Sequence, residues 1–170
     1  MNNEKKEFLF KEVMGNYPTG VTIVTTVTET GIPLGLTVNS IASVSIDPLL
    51  ILWSIDKSVS SYPEFMKTGH FAIHILAEDQ RDICILFATK GIDRFKHCTW
   101  EFSNIPLPIL TGTASVLQCR TYRTIEAGDH TIIIGEVLSI QNFDKEPLLY
   151  HRRIFGPIPK EFYKGSEDGT

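Results

Sequence analysis

Several chemistries are missing from this sequence. Cysteine is sparse: Cys84, Cys98 and Cys119 are the only three, and no two stand in C-x-x-C spacing. An odd, scattered set argues against a disulfide framework and for a reducing compartment. Basic residues are not in excess: 16 lysines and arginines face 20 acids, for a net charge of -4. The basic stripe of a nucleic-acid binder is therefore lacking. The longest apolar run, Leu49-Leu-Ile-Leu-Trp53, is far short of the roughly 20 residues of a membrane span. No apolar segment follows the polar start Met1–Lys6, which argues against a secretory leader. G-x-G-x-x-G, G-x-x-x-x-G-K-[ST] and G-x-S-x-G are all absent, which removes the Rossmann, P-loop and hydrolase-elbow readings. The expectation is a soluble, cytoplasmic protein with neither nucleic acid nor membrane as partner.

At 170 residues and 42% hydrophobic, the chain suffices for one domain, read as residues 1–170 with a core at about 8–155 and a tail at 156–170. Phe8, Leu9, Val13 and Met14 form a helical face that ends at Gly15-Asn16. Val21–Val27 is β-branched throughout and reads as a strand, turned back through Thr30-Gly31. Gly35–Ser45 reads as the next strand, with a change of register near Ser40, and Leu49–Ile55 as a third strand buried on both sides. Ser61 and Glu64 have the S-x-x-E spacing of a capping box, and Asp79 is placed to cap a second helix with Ile83, Leu86 and Phe87 inward. Phe71–Leu76 is a fourth strand. Trp100–Phe102 is a short one, and Thr89–Thr99 is a polar loop. Gly112–Ile125 and His130–Gln141 are long strands around the turn Glu126-Ala-Gly-Asp129, and Leu148–Phe155 is the last. About seven antiparallel strands and three short helices imply a mainly β barrel or sandwich.

Three constellations could carry function. In Gly35–Ser45, Thr37, Asn39, Ser43 and Ser45 recur two apart, so a row of polar groups can line a cleft or face water. Lys57-Ser58-Val-Ser60-Ser61 gathers hydroxyls and an ammonium before a helix, which suits an anion such as phosphate or a plain serine-rich turn. His130 opens a strand after Gly128-Asp129, at a sheet edge, where it is either a site residue or simply exposed. A metal is not expected. His70 and His74 have helical i,i+4 spacing, but on a strand they stand about 13 Å apart. Cys84 and Cys119 read as core filler, and no catalytic nucleophile is found.

Tyr17-Pro-Thr-Gly-Val-Thr-Ile-Val-Thr25, Gly35-Leu-Thr-Val-Asn-Ser40, Ser43-Val-Ser45, Asp47-Pro48 and Gly128-Asp-His-Thr131 resemble the flavin reductase family. Phe71–Asp79, Asp93-Arg94-Phe95 and Pro147–Arg152 match as well, colinearly, so the likeness runs from about Phe8 to Phe155. The resemblance implies an FMN-binding split β-barrel, antiparallel and Greek-key, with a few short helices. It implies a homodimer that transfers hydride from NAD(P)H to FMN or FAD and can supply reduced flavin to a partner monooxygenase. Carried over, Thr19, Thr37, Val38, Asn39 and Ser40 lie along the flavin, Lys57, Ser58 and Ser60 hold its phosphate, and His130 contacts the nicotinamide. Because the cofactor carries the hard chemistry, no catalytic residue is implied. An alternative on the same barrel is a flavoredoxin-like electron carrier that keeps its FMN, and another is a binding module without flavin. His74 stands where relatives often have Asn, Asp47-Pro-Leu-Leu lacks a second proline, and the tail after Phe155 follows no family pattern.

Overall fold

The computed structural model describes residues 2–163. The part of the tail beyond Tyr163 lies outside the described residues. The chain opens with helix α1 (Asn3–Gly15), followed by β1 (Thr19–Gly20), β2 (Thr22–Val27), β3 (Pro33–Val38), β4 (Ala42–Ile46) and β5 (Leu49–Asp56). Helix α2 (Tyr62–Lys67), β6 (His70–Ile75) and α3 (Arg81–Ala88) come next, then a 3-10 turn at Arg94–His97. β7 (Trp100–Phe102) and β8 (Pro108–Leu110) precede the long pair β9 (Ser115–Ala127) and β10 (His130–Asn142), and β11 (Leu149–His151) and β12 (Ile154–Gly156) end the sheet elements. No helix among the described residues is long and apolar enough to cross a membrane.

The main sheet has seven strands in the order β3-β2-β6-β9-β10-β5-β4, all neighbours antiparallel. This is the mainly β, antiparallel class expected. The two edges, β3 and β4, are joined through residues 39–41 without a ladder between them, so the barrel is not closed by strand pairing. Ser40 ties the gap instead: its hydroxyl donates to the Ser54 carbonyl (3.2 Å) and accepts from the Ser54 amide (3.0 Å).

β2 shows why its residues form a central strand. Ile23 and Val24 fill the core, while the buried hydroxyls of Thr22, Thr25 and Thr26 donate to the carbonyls of Val38, Pro108 and His70. A buried hydroxyl with a partner is tolerated where an unpaired one is costly. Two aromatic clusters flank the sheet. Trp53 packs edge-on against Phe65 (5.3 Å between centroids) and Phe71 (5.8 Å). On the other side Phe87 meets Phe95 (5.2 Å), and Phe95 meets Trp100 (5.2 Å), which fixes α3 and the 3-10 turn on β3.

Five expectations are corrected. Gly35–Ser45 is two strands, because residues 39–41 cross from one sheet edge to the other. Leu148–Phe155 is a hairpin, turned at Arg152-Arg153, rather than one strand. Leu49–Ile55 alternates, with Ile51, Trp53 and Ile55 inward and Leu50, Leu52 and Ser54 half-buried. Ser61 makes no capping bond, since its own backbone is already helical, and Asp79 caps nothing. Gln80 stands at the N-cap position without a side-chain cap bond, and its side chain instead ties the preceding turn by accepting from the Ala77 amide (3.1 Å). Helix α1 is present as read, and its apolar side chains Phe8, Leu9, Val13 and Met14 are all exposed.

Gly135 sits in β10 beside a register shift, where a Cβ would lie 2.4 Å from the Phe71 ring and 3.0 Å from the Cys119 Cβ. Gly135→Ala should therefore cost about 2 kcal/mol through overpacking, a fall of roughly 4–8 °C in Tm for a chain of this size. A thermal melt by circular dichroism checks this, and an unchanged Tm would mean that the ring has room to move.

Candidate functional site

β3, the turn after β5 and the end of α3 enclose a cavity of about 580 Å³ lined by Thr37, Ser58, Ser60, Ser61, Lys90 and Arg94, among others. Its walls are held by short, specific contacts. Thr37 donates its hydroxyl to the Cys84 carbonyl (2.8 Å), and a Cβ at Gly35 would stand 2.6 Å from the Phe87 ring. Together these seat α3 directly on β3. Arg94 reaches the Gly35 carbonyl (3.0 Å) and the Thr89 carbonyl (2.7 Å), which anchors the loop carrying Lys90. Ser61 has no capping bond to make, so its hydroxyl remains available to the cavity it lines.

The expected residues separate into three places. Thr37, Ser58 and Ser60 come together in this cavity. Asn39 lies beyond the end of β3 and lines a different cavity with Tyr150, Arg152 and Arg153. Thr19 pairs with Tyr150 across β1 and β11, and its hydroxyl oxygen is buried without a partner. Val38 packs its side chain on the core, and the Ser40 hydroxyl spends its proton on Ser54, so Ser40 can meet a ligand only as an acceptor or through its backbone.

Lys57 and His130 meet at the end of the sheet. His130 opposes Asp56 in β5, two residues before Ser58. Lys57 donates to the Gly128 carbonyl (2.9 Å) and pairs with Glu126, which raises its pKa and lowers that of Glu126. Glu126 also accepts from Thr131 (3.2 Å), so the Tyr62 hydroxyl, 2.9 Å from Thr131, must be the donor in that bond. This chain of contacts clamps the β9–β10 hairpin onto α2. Asp129 accepts from His130 Nδ1 (2.8 Å), a bond that also holds its carboxyl below the usual range. Nε2 is left as the free ring nitrogen of His130.

With Lys57 drawn to the hairpin, the cations beside Ser58 and Ser60 are Lys90 and Arg94. Sequence reading missed both, inside a stretch taken for a polar loop. The signal available was Asp93-Arg94-Phe95, where Phe95 buries and so fixes the direction of its neighbour. Cys84 and Cys119 are buried as core filler, and burial pushes the Cys119 thiol up to about 12. His74 is fully buried with both ring nitrogens bonded to backbone.

Residues 14–159 match the family described as Flavin reductase like domain. The chain belongs to this family. It is 43% identical over 152 residues to FMN reductase (NADH) SmoA of Agrobacterium fabrum, covering 89% of this chain and 86% of that protein. It is 44% identical to the reductase component of a flavin-dependent trigonelline monooxygenase of Acinetobacter baylyi, over 84% of this chain and 46% of that longer protein. Among solved structures it is similar to the NADH:FAD oxidoreductase SgcE6 of Streptomyces globisporus in complex with NAD and FAD fragments, with a TM-score of 0.85 and 28% identity over 100% of this chain and 99% of that one. A flavin is the ligand this family implies, and the residues present fit one. The orphaned Thr19 hydroxyl and the serine-rich cavity with Lys90 and Arg94 are the donors that a polar ring edge and a phosphate need.

Proposed function

We propose that this protein is an NAD(P)H:flavin oxidoreductase that reduces FMN or FAD and supplies it to a monooxygenase. The observation that carries this reading is the cavity in which Thr37, three serines and two cations converge, at the sheet end that also bears His130. Ser58, Ser60 and Ser61 would donate to the flavin phosphate, with Lys90 and Arg94 balancing its charge. The Thr37 proton is used on Cys84, so Thr37 would meet the flavin as an acceptor, with the Thr19 hydroxyl and Asn39 farther along. His130, held by Asp129, would present Nε2 to the nicotinamide carboxamide. When bound, flavin supplies the hydride acceptor and the dinucleotide the hydride, which is why the chain needs no acid–base dyad. Its own residues bind and orient two rings, and orientation is where rate is gained.

The reading extends to a single domain that works as a cytoplasmic homodimer. Phe8, Phe10 and Val13 of α1 and Val44 and Ile46 of edge strand β4 are exposed apolar groups that a second copy would cover. Sedimentation equilibrium should give twice the chain mass, and a monomer at micromolar concentration would remove the dimer.

Steady-state NADH and NADPH oxidation with added FMN or FAD, after measuring bound flavin, tests the function. Turnover should depend on added flavin, and saturating flavin should raise Tm. A protein that stays yellow through gel filtration yet oxidises NAD(P)H poorly would be an electron carrier instead. No flavin-induced Tm shift would leave the barrel as a binding module for another ligand.

A further inference from the structure

The backbone of His130 is held from both sides, and its ring is the part still to be aimed. Residue 130 is laddered to Asp56 in β5 and to Ala127 in β9. The direction of the ring is set one residue earlier, where the Asp129 carboxylate accepts from Nδ1 (2.8 Å). Asp129 lies with Gly128 in the turn, outside both ladders. Lys57 ties that turn down twice. Its amide donates to the Asp129 carbonyl (3.0 Å), and its Nζ donates to the Gly128 carbonyl (2.9 Å). The same Nζ pairs with Glu126. Glu126 in turn accepts from Thr131 (3.2 Å), a fully buried residue whose hydroxyl takes the Tyr62 proton (2.9 Å). A hydrogen-bonded chain with every proton assigned therefore runs from α2 to the turn.

The Glu126 side chain is 70% exposed, and an ion pair so open to water adds little stability. What it contributes is direction. It keeps the Lys57 ammonium on the turn, and Lys57 is not among the groups that line the cavity of Ser58 and Ser60. We infer that Lys57 and Glu126 are positioning residues for use of the dinucleotide: together they hold the Gly128-Asp129 turn, and Asp129 then aims the His130 ring. Lys57 thus serves the nicotinamide side of the reaction, although Ser58 beside it serves the flavin phosphate. These roles rest on the proposed NAD(P)H:flavin activity and add to it two residues that touch neither substrate.

The test uses the full chain with Lys57→Met, which keeps the apolar stem and removes the ammonium, and Glu126→Gln, which keeps an acceptor for Thr131 and removes the charge. At saturating FMN, kcat/KM for NADH should fall on the order of three- to tenfold in Lys57→Met and less in Glu126→Gln. FMN affinity should stay within about twofold, and Tm within about 4 °C. The deciding measurement repeats Lys57→Met in a His130→Ala background. A residue that acts through His130 has nothing left to aim there, so the further loss should be under about twofold. The same loss in both backgrounds would make Lys57 a structural residue and overturn the assignment. A fall in FMN affinity on the order of tenfold, with NADH use unchanged, would place Lys57 on the flavin phosphate and overturn it as well. The ring-nitrogen NMR signals of His130, assigned by their loss in His130→Ala, read the aim of the ring without turnover. They should move toward those of a freely rotating imidazole in Lys57→Met, and unmoved signals would overturn the assignment. If the wild type oxidised no NAD(P)H, the functional reading would fail while these signals still judged the positioning.

Discussion

Between pH 6.5 and pH 4 the folded protein should lose about 3 kcal/mol of stability through His74 alone. The ring is fully buried in β6, and burial lowers its pKa from 6.5 to about 4. Its tautomer follows from its partners. The Leu110 amide donates to Nε2 (3.1 Å), so the proton sits on Nδ1 and is donated to the Ile23 carbonyl (3.1 Å). A second proton on Nε2 would face an N–H instead of an acceptor. The unfolded chain takes up that proton near pH 6.5, and the folded chain refuses it until about pH 4. Within that window the unfolded state binds more protons, so stability falls as pH falls. Above it His74 adds no slope, and below it the loss is complete. Urea unfolding of wild type and His74→Asn at several pH values isolates the effect. Asparagine is shorter and leaves one backbone partner unmet, so the variant should be weaker at pH 7 by about 1–3 kcal/mol. It carries no titrating ring, so the gap should close, or reverse, as pH falls to 4. A gap independent of pH would mean that the folded ring takes up its proton as readily as the unfolded chain does.

How much of this was legible in the sequence depends on whether a signal was local. β2 was, because six successive β-branched residues admit little else. The β9–β10 hairpin was, because Gly128 at φ +65° marks its turn within Glu126–Asp129. The break in Gly35–Ser45 was not. Residues 39–41 leave β3 to reach the other sheet edge, which is a property of the whole barrel. The turn at Arg152-Arg153 was hidden for the opposite reason, since arginines stand where turn chemistry calls for Asn and Gly. Thr37, Ser58 and Ser60 line one cavity, and each was singled out within its own short polar stretch. The identity of the cation was not. Lys57 is adjacent to Ser58 in sequence but follows the strand end toward Glu126, while Lys90 and Arg94 arrive from a loop that only Phe87 and Phe95 packing puts in place.

Replacing His130 by alanine should lower kcat/KM for NAD(P)H on the order of 10- to 100-fold and leave flavin affinity within about twofold. The asymmetry follows from where the ring sits. It opens β10 at the hairpin end, bonded to Asp129, and it is not among the groups that line the cavity of Ser58, Ser60, Lys90 and Arg94. Equal loss of flavin and dinucleotide use would mean that His130 holds the fold of the hairpin and contacts no substrate. Asp129 separates contact from positioning. Asp129→Ala frees the ring to rotate while the Asp129 carbonyl still accepts the Lys57 amide (3.0 Å), so the hairpin keeps its backbone tie. Its loss in kcat/KM should be smaller than that of His130→Ala. Asp129→Asn restores an acceptor for Nδ1 and should recover most of the rate, because the ring needs the acceptor's position more than its charge. If asparagine fails where aspartate succeeds, the carboxylate charge of Asp129, and not only its position, is what orients the ring of His130.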